Sequence, residues 1–188
     1  VREVPYGQDG SFSREGIVRR INADLANDFG NLAQRSLSLI NKNCGSRIPV
    51  CGELTDDDLG LLDAAKLLVH EIREAFEVQA FHTGLEKTWN VVRAANGYID
   101  RQAPWALKKE DPVRMETVLF VLAEAIRRLA ILVQPVVPAA AGKLLDQLAV
   151  PEDARDFEAL SEETGLIPGT VLPKPEGVFP RFTERIDD

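Results

Sequence analysis

The chain has 188 residues, 45% hydrophobic and 28% charged, which is the size and balance of one globular domain with a single core and excludes a disordered or fibrous chain. Aromatics are sparse at 6% while Ala, Leu, Ile and Val are plentiful; no run reaches the roughly 18 apolar residues needed to cross a bilayer, so no membrane role is expected. Taken over the whole chain, the net charge of −8 argues against a nucleic-acid partner, because phosphate binding usually leaves a basic footprint.

The chain opens on Val1 with neither an initiator Met nor a basic-then-apolar leader, so its start reads as a cut end and its compartment as the cytoplasm. Residues 1–12 read as a linker. Over 13–42 there is no Pro and only Gly16 and Gly30, and Ile17, Ile21, Leu25, Phe29, Leu32 and Ile40 recur in helical spacing, with Ser11 or Ser13 as the cap. The Gly- and Pro-containing stretch 43–52 ends that helix. Thr55 and Asp56, Asp57 and Asp58 then open a second helix, whose predicted stripe is Leu59, Leu62, Leu67, Ile72, Phe76 and Val78. A third begins near Thr83, carries Leu85, Trp89, Val92 and Ile99, and ends by Pro104. Asp111 and Pro112 cap and start a fourth, running through Leu119, Leu122, Ile126, Leu129 and Leu132. A fifth is predicted over 139–148 and a short one over 157–163, and beyond Gly165 the prolines at 168, 173, 175 and 180 imply an extended tail. The expected fold is all-α: an up-and-down helical bundle over 13–150, with 151–188 as a short helix and a Pro-rich tail packed on it or on a neighbour.

Charge is unevenly spread. Segments 14–47 and 82–109 each carry a net +3, while 53–79 carries −6 and 146–188 carries −7. Catalytic signatures are missing: there is no P-loop, no GxSxG elbow and no HExxH. His70 reads as a surface or boundary histidine, and the Asp56–Asp58 run fits capping and solvation as well as a cation. Cys44 and Cys51 read as free thiols, and neither His70 nor His82 completes a zinc spacing with them.

Two patterns point towards RNA. Asn27, Asn31 and Arg35 lie four apart on the first helix, so they form a row that drifts about 40° per step. Asn both donates and accepts, and Arg offers a planar donor fork, which suits the edges of unpaired bases. An ordinary solvated face has the same spacing. The second pattern is Trp105 straight after Pro104 at a helix end, a possible stacking platform, with Arg101, Lys108 and Lys109 nearby for phosphates. A Trp that simply packs the corner between two helices is the competing reading.

Longer stretches give these patterns a family. Residues 20–35, RINADLANDFGNLAQR, resemble the first anticodon-domain helix of the bacterial methionyl-tRNA synthetases, class I enzymes. Residues 94–105, AANGYIDRQAPW, are similar to that family's later helix with its Ala-Pro-Trp element. The opening 2–13 resembles the family's join to the catalytic core, and 168–175, PGTVLPKP, its C-terminal extension. The resemblance implies recognition of the CAU anticodon of methionine tRNA by Asn31, Arg35 and Trp105, with Asn27 in support. It also implies a parent enzyme that uses ATP and Mg²⁺ to charge that tRNA. The HIGH-type and KMSKS-type signatures of the catalytic half are absent, so this piece is expected to hold no cofactor and to catalyse nothing alone, its partners being the tRNA and the catalytic domain. The helical domain of another class I synthetase, or a scaffold bundle with no RNA role, are the alternatives.

Overall fold

A computed structural model of the chain describes residues 4–10, 13–160 and 164–183. Ser11, residues 161–163 of the expected short helix and parts of the opening segment lie outside the described residues. Among the described residues the fold is helical, with one isolated antiparallel bridge between Arg47 and Val171.

α1 (Arg14–Arg20), a wide-turned segment (Ile21–Gly30) and α2 (Asn31–Asn43) follow one another without a break. The Ser13 hydroxyl accepts from the Gly16 N–H at 3.2 Å and starts the first of them. Through Ile21–Gly30 the hydrogen bonds reach back five residues, as from the Asn31 N–H to the Ala26 carbonyl. The apolar row Ile17, Ile21, Leu25 and Phe29 runs along this stretch from exposed Ile17 down to fully buried Phe29.

α3 (Asp56–Glu77) begins where predicted, the Asp58 carboxylate reaching back to accept from the Thr55 N–H at 2.8 Å. Its predicted stripe is half right: Ile72 is buried and Leu62 and Phe76 pack on the core. Leu61, Ala65, Leu68, Ile72 and Ala75 are buried, whereas Leu59, Leu67 and Val78 are exposed. Leu61 and Leu68 form the buried line together with the alanines, and α3 packs against α4 (Phe81–Gln102). There a Cβ on Gly84 would stand 2.9 Å from the Phe76 ring, so no larger residue fits.

In α4, Leu85, Trp89, Val92 and Ile99 are buried as expected. A short helix that the sequence reading left unassigned follows, α5 (Pro104–Glu110). α6 (Pro112–Val133), capped by Asp111, runs through the centre of the bundle and packs on α2, α3, α4, α5 and α7 (Pro138–Gln147). It is therefore buried on every side from Val121 to Val133.

The chain then makes two single turns (Glu152–Ala154 and Glu158–Leu160) in place of the expected short helix. The second is fastened to α6 from within. Glu124 accepts from Arg127 and Arg128 at 2.7–2.9 Å, and those guanidinium groups donate onward to the carbonyls of Ala159, Leu160 and Thr164. The extended tail returns across the bundle, with Leu166 and Leu172 in the common core and the Ile48 N–H donating to the Thr170 carbonyl at 2.9 Å. Its last described residues pack on the wide-turned segment, Phe179 against Phe29 and Phe182 bonded to Asn22.

Candidate nucleic-acid interface

The exposed end of α2 meets the corner between α4 and α5. Ala103, which joins those two helices, has φ 43° and ψ 58°, the left-handed region that an L-residue enters only at a cost. Its N–H still closes α4 on the Ile99 carbonyl at 3.0 Å, and Pro104 follows with no N–H to lose. The sharp turn leaves Trp105 in the first turn of α5, 48% exposed.

Arg35 projects from α2 against this ring. Its guanidinium carbon lies 5.5 Å from the indole centroid, within cation–π range, and its Nη2 donates to Asp100 Oδ1 at 2.6 Å. Asn31, one turn earlier, is exposed. Asn27, a further turn back, faces the returning tail, its Oδ1 accepting from Arg181 Nη2 at 2.6 Å. Between that part of the helix and tail residues 177–181 lies an open cleft of about 620 Å³, which Asn27, Asn31 and Gln34 line from the helix side.

The α4–α5 corner is braced from behind by a polar network that the sequence reading missed. Asp58, fully buried, accepts from Tyr98 and bidentately from Arg114. Burial pushes its carboxyl up, but the hydrogen bonds from Arg114, Tyr98 and Thr55 outweigh that and hold it well below the usual carboxylate range. Arg114 also donates to Gln102 Oε1 at 2.7 Å, and Gln102 Nε2 donates to Asp57 Oδ2 at 2.8 Å. The last residue of α4 is thus tied to two other helices. The acidic run is structural, and the only signal available in sequence was its capping position.

Arg101 donates to Asp57 at 2.7 Å, so its charge is already paired, and that hydrogen bond lowers the Asp57 carboxyl. Lys108 and Lys109 are exposed in the last turn of α5. His70 is exposed on α3, as read from sequence. Cys44 and Cys51 are free thiols, and burial, then Glu116, pushes Cys44 up to about 11, which keeps it protonated and unreactive. Among the described residues no helix is long and apolar enough to cross a membrane.

Comparison with known proteins places this geometry. The family model for the anticodon binding domain of methionyl tRNA ligase matches residues 48–187, and that for class I tRNA synthetases (M) matches residues 1–37. The chain is 56% identical to a methionine–tRNA ligase of Mesorhizobium japonicum and 49% identical to one of Mycobacterium tuberculosis, over 98% and 97% of its length. It spans 36% of the length of each. The structure of apo Mycobacterium tuberculosis methionyl-tRNA synthetase superposes with a TM-score of 0.94 at 48% identity, covering 98% of this chain and 38% of that one. A second structure of that enzyme, in complex with methionyl-adenylate, superposes at 0.92 with 49% identity, covering 96% and 36%.

Proposed function

The chain belongs to the methionyl-tRNA ligase family, matching its anticodon-binding part, and we propose that it reads the CAU anticodon of methionine tRNAs with Asn31, Arg35 and Trp105. The observation that carries this reading is the contact of Arg35 with a half-exposed Trp105, with Asn31 exposed one turn away. Trp105 stacks on an anticodon base, a contact worth about 1–3 kcal/mol. Asn31 and Arg35 satisfy the edge of the first base, cytosine, whose amino group donates and whose ring nitrogen and carbonyl accept. Uracil puts an acceptor where that amino group stands, so a polar group would be left unpaired and the wrong base rejected. Lys108 and Lys109 supply phosphate contacts, and Arg101 could join them only by sharing its bond to Asp57.

In the whole enzyme, by the same reading, ATP activates methionine with Mg²⁺ in a catalytic domain that is this chain's other partner, in the cytoplasm. The residues here do not fit the metal. Among those described no cluster of His, Cys, Asp or Glu gathers, and Asp57 and Asp58 are already committed to Arg101 and Arg114. The chain's own part is to bind the anticodon and hold the tRNA.

Binding of the chain to two RNA stem-loops, one with CAU and one with an altered first anticodon base, tests the proposal. The CAU loop should bind more tightly, and Trp105→Ala and Arg35→Ala should each weaken it by about 1–3 kcal/mol. Equal affinity for the two loops overturns the methionine assignment, and binding unchanged in both folded variants removes those residues from the site.

A further inference from the structure

The tail is fixed to the first helix at two points on either side of one cation. On one side, Phe179 packs on Phe29 with ring centroids 5.7 Å apart and sits against Gly30, where a Cβ would come within 3.3 Å of it. On the other, the Asn22 side-chain amide donates to the Phe182 carbonyl at 3.0 Å and accepts from the Phe182 N–H at 2.8 Å. Arg181 lies between these anchors, at the edge of the cleft that Asn31 and Gln34 line.

Arg20, Arg35, Arg101 and Arg114 each meet a carboxylate, whereas Arg93 meets the amide oxygen of Asn90. Arg181 meets the neutral amide oxygen of Asn27, and among the described residues no carboxylate pairs with it. A neutral acceptor orients a guanidinium and leaves its full charge available. An anion is what an oriented, uncompensated guanidinium beside a polar cleft recognises. On the anticodon reading above, the anion nearest the bases is the RNA backbone itself.

We infer that Arg181 is an RNA-binding residue contributed by the tail, donating to a phosphodiester of the anticodon loop beside the base read by Asn31 and Arg35. Asn27 is then a positioning residue that aims Arg181 rather than a reader of bases. The inference rests on the anticodon reading, but its test is separate. Base reading shows as a preference between loops, whereas a phosphate contact shows as a salt slope common to both.

The experiment measures binding of the full 188-residue chain to the CAU stem-loop and to one with an altered first base, across a range of KCl concentrations. Arg181→Gln should bind both loops about three- to tenfold more weakly near 0.1 M salt and lower the log–log salt slope by about 0.7, while the preference for CAU stays. Arg181→Lys, which keeps a point charge, should keep the slope. Asn27→Ala should lose affinity by less than Arg181→Gln and leave the slope in place. A salt slope unchanged in Arg181→Gln overturns the inference even where affinity falls, because Arg181 would then only clamp the tail. A wild-type chain that shows no preference between loops sinks the base reading alone if the slopes still differ. A wild-type chain that binds neither loop overturns both.

Discussion

Arg35 touches the face of an indole and a carboxylate at once, and few side chains serve both partners. A planar guanidinium stacks on the ring with its face and donates along its edge, whereas an ammonium group on a flexible stem does one or the other. Arg35→Lys should therefore behave more like Arg35→Ala than like wild type, losing about 1–2 kcal/mol of stem-loop binding; wild-type affinity would show that charge alone matters. Asp58 gives a prediction in pH. Folding holds its carboxyl below the ordinary value of 3.8, so its stabilisation is complete above that pH and drains away as the pH falls beneath it. Asp58→Asn should cost about 3–5 kcal/mol at neutral pH, because it leaves Arg114 without its charge partner. Denaturant titrations of the two proteins should converge as the pH drops below about 4, the range in which a carboxylate is protonated. A gap that stays constant with pH would remove the charge from the account.

At the scale of elements, the long helices were legible because their ends are chemically marked. Thr55, Asp111 and Pro104 each stand at a boundary in the structure as they do in the sequence. The stripe of α3 was only partly legible, because the adjacent pairs Leu61–Leu62 and Leu67–Leu68 put an apolar residue on either side of the seam and alanine adds little to an apolar pattern. α5 was missed because nothing about Ala103 announces a left-handed backbone; a glycine there would have. Of the candidate site, Asn31, Arg35 and Trp105 could be named from spacing and resemblance, but their shared surface depends on contacts 65 residues or more apart in sequence, such as Arg35 with Asp100. Gly30 separates two physical effects. Helix propensity alone says that Gly30→Ala stabilises by about 1 kcal/mol. Its Cβ would, however, stand 2.9 Å from the Leu25 carbonyl and 3.3 Å from Phe179, and overpacking of that kind costs about 1–3 kcal/mol. Thermal melts should show net destabilisation, and a gain would mean that the wide turn relaxes without loss.

The molecule as a whole is acidic. Asp57 and Asp58 each face arginines, as does Glu124 in the core, so these pairs cancel locally and the net charge of −8 rests on the other carboxylates. Lys108 and Lys109 stand exposed on the same short helix as Trp105. Replacing both by Ala should weaken binding to the CAU loop and to an altered loop by the same factor; a change in the preference between loops would mean that they touch bases. Ala103 has one further consequence for the assembled protein. Folding alone meets the cost of its left-handed backbone, about 1–2 kcal/mol, with the network around Asp58 holding the corner shut. The indole of Trp105 is consequently aimed before any ligand arrives. The disorder lost in aiming it is given up once, during folding, and each encounter begins with a ring that has no orientation left to find.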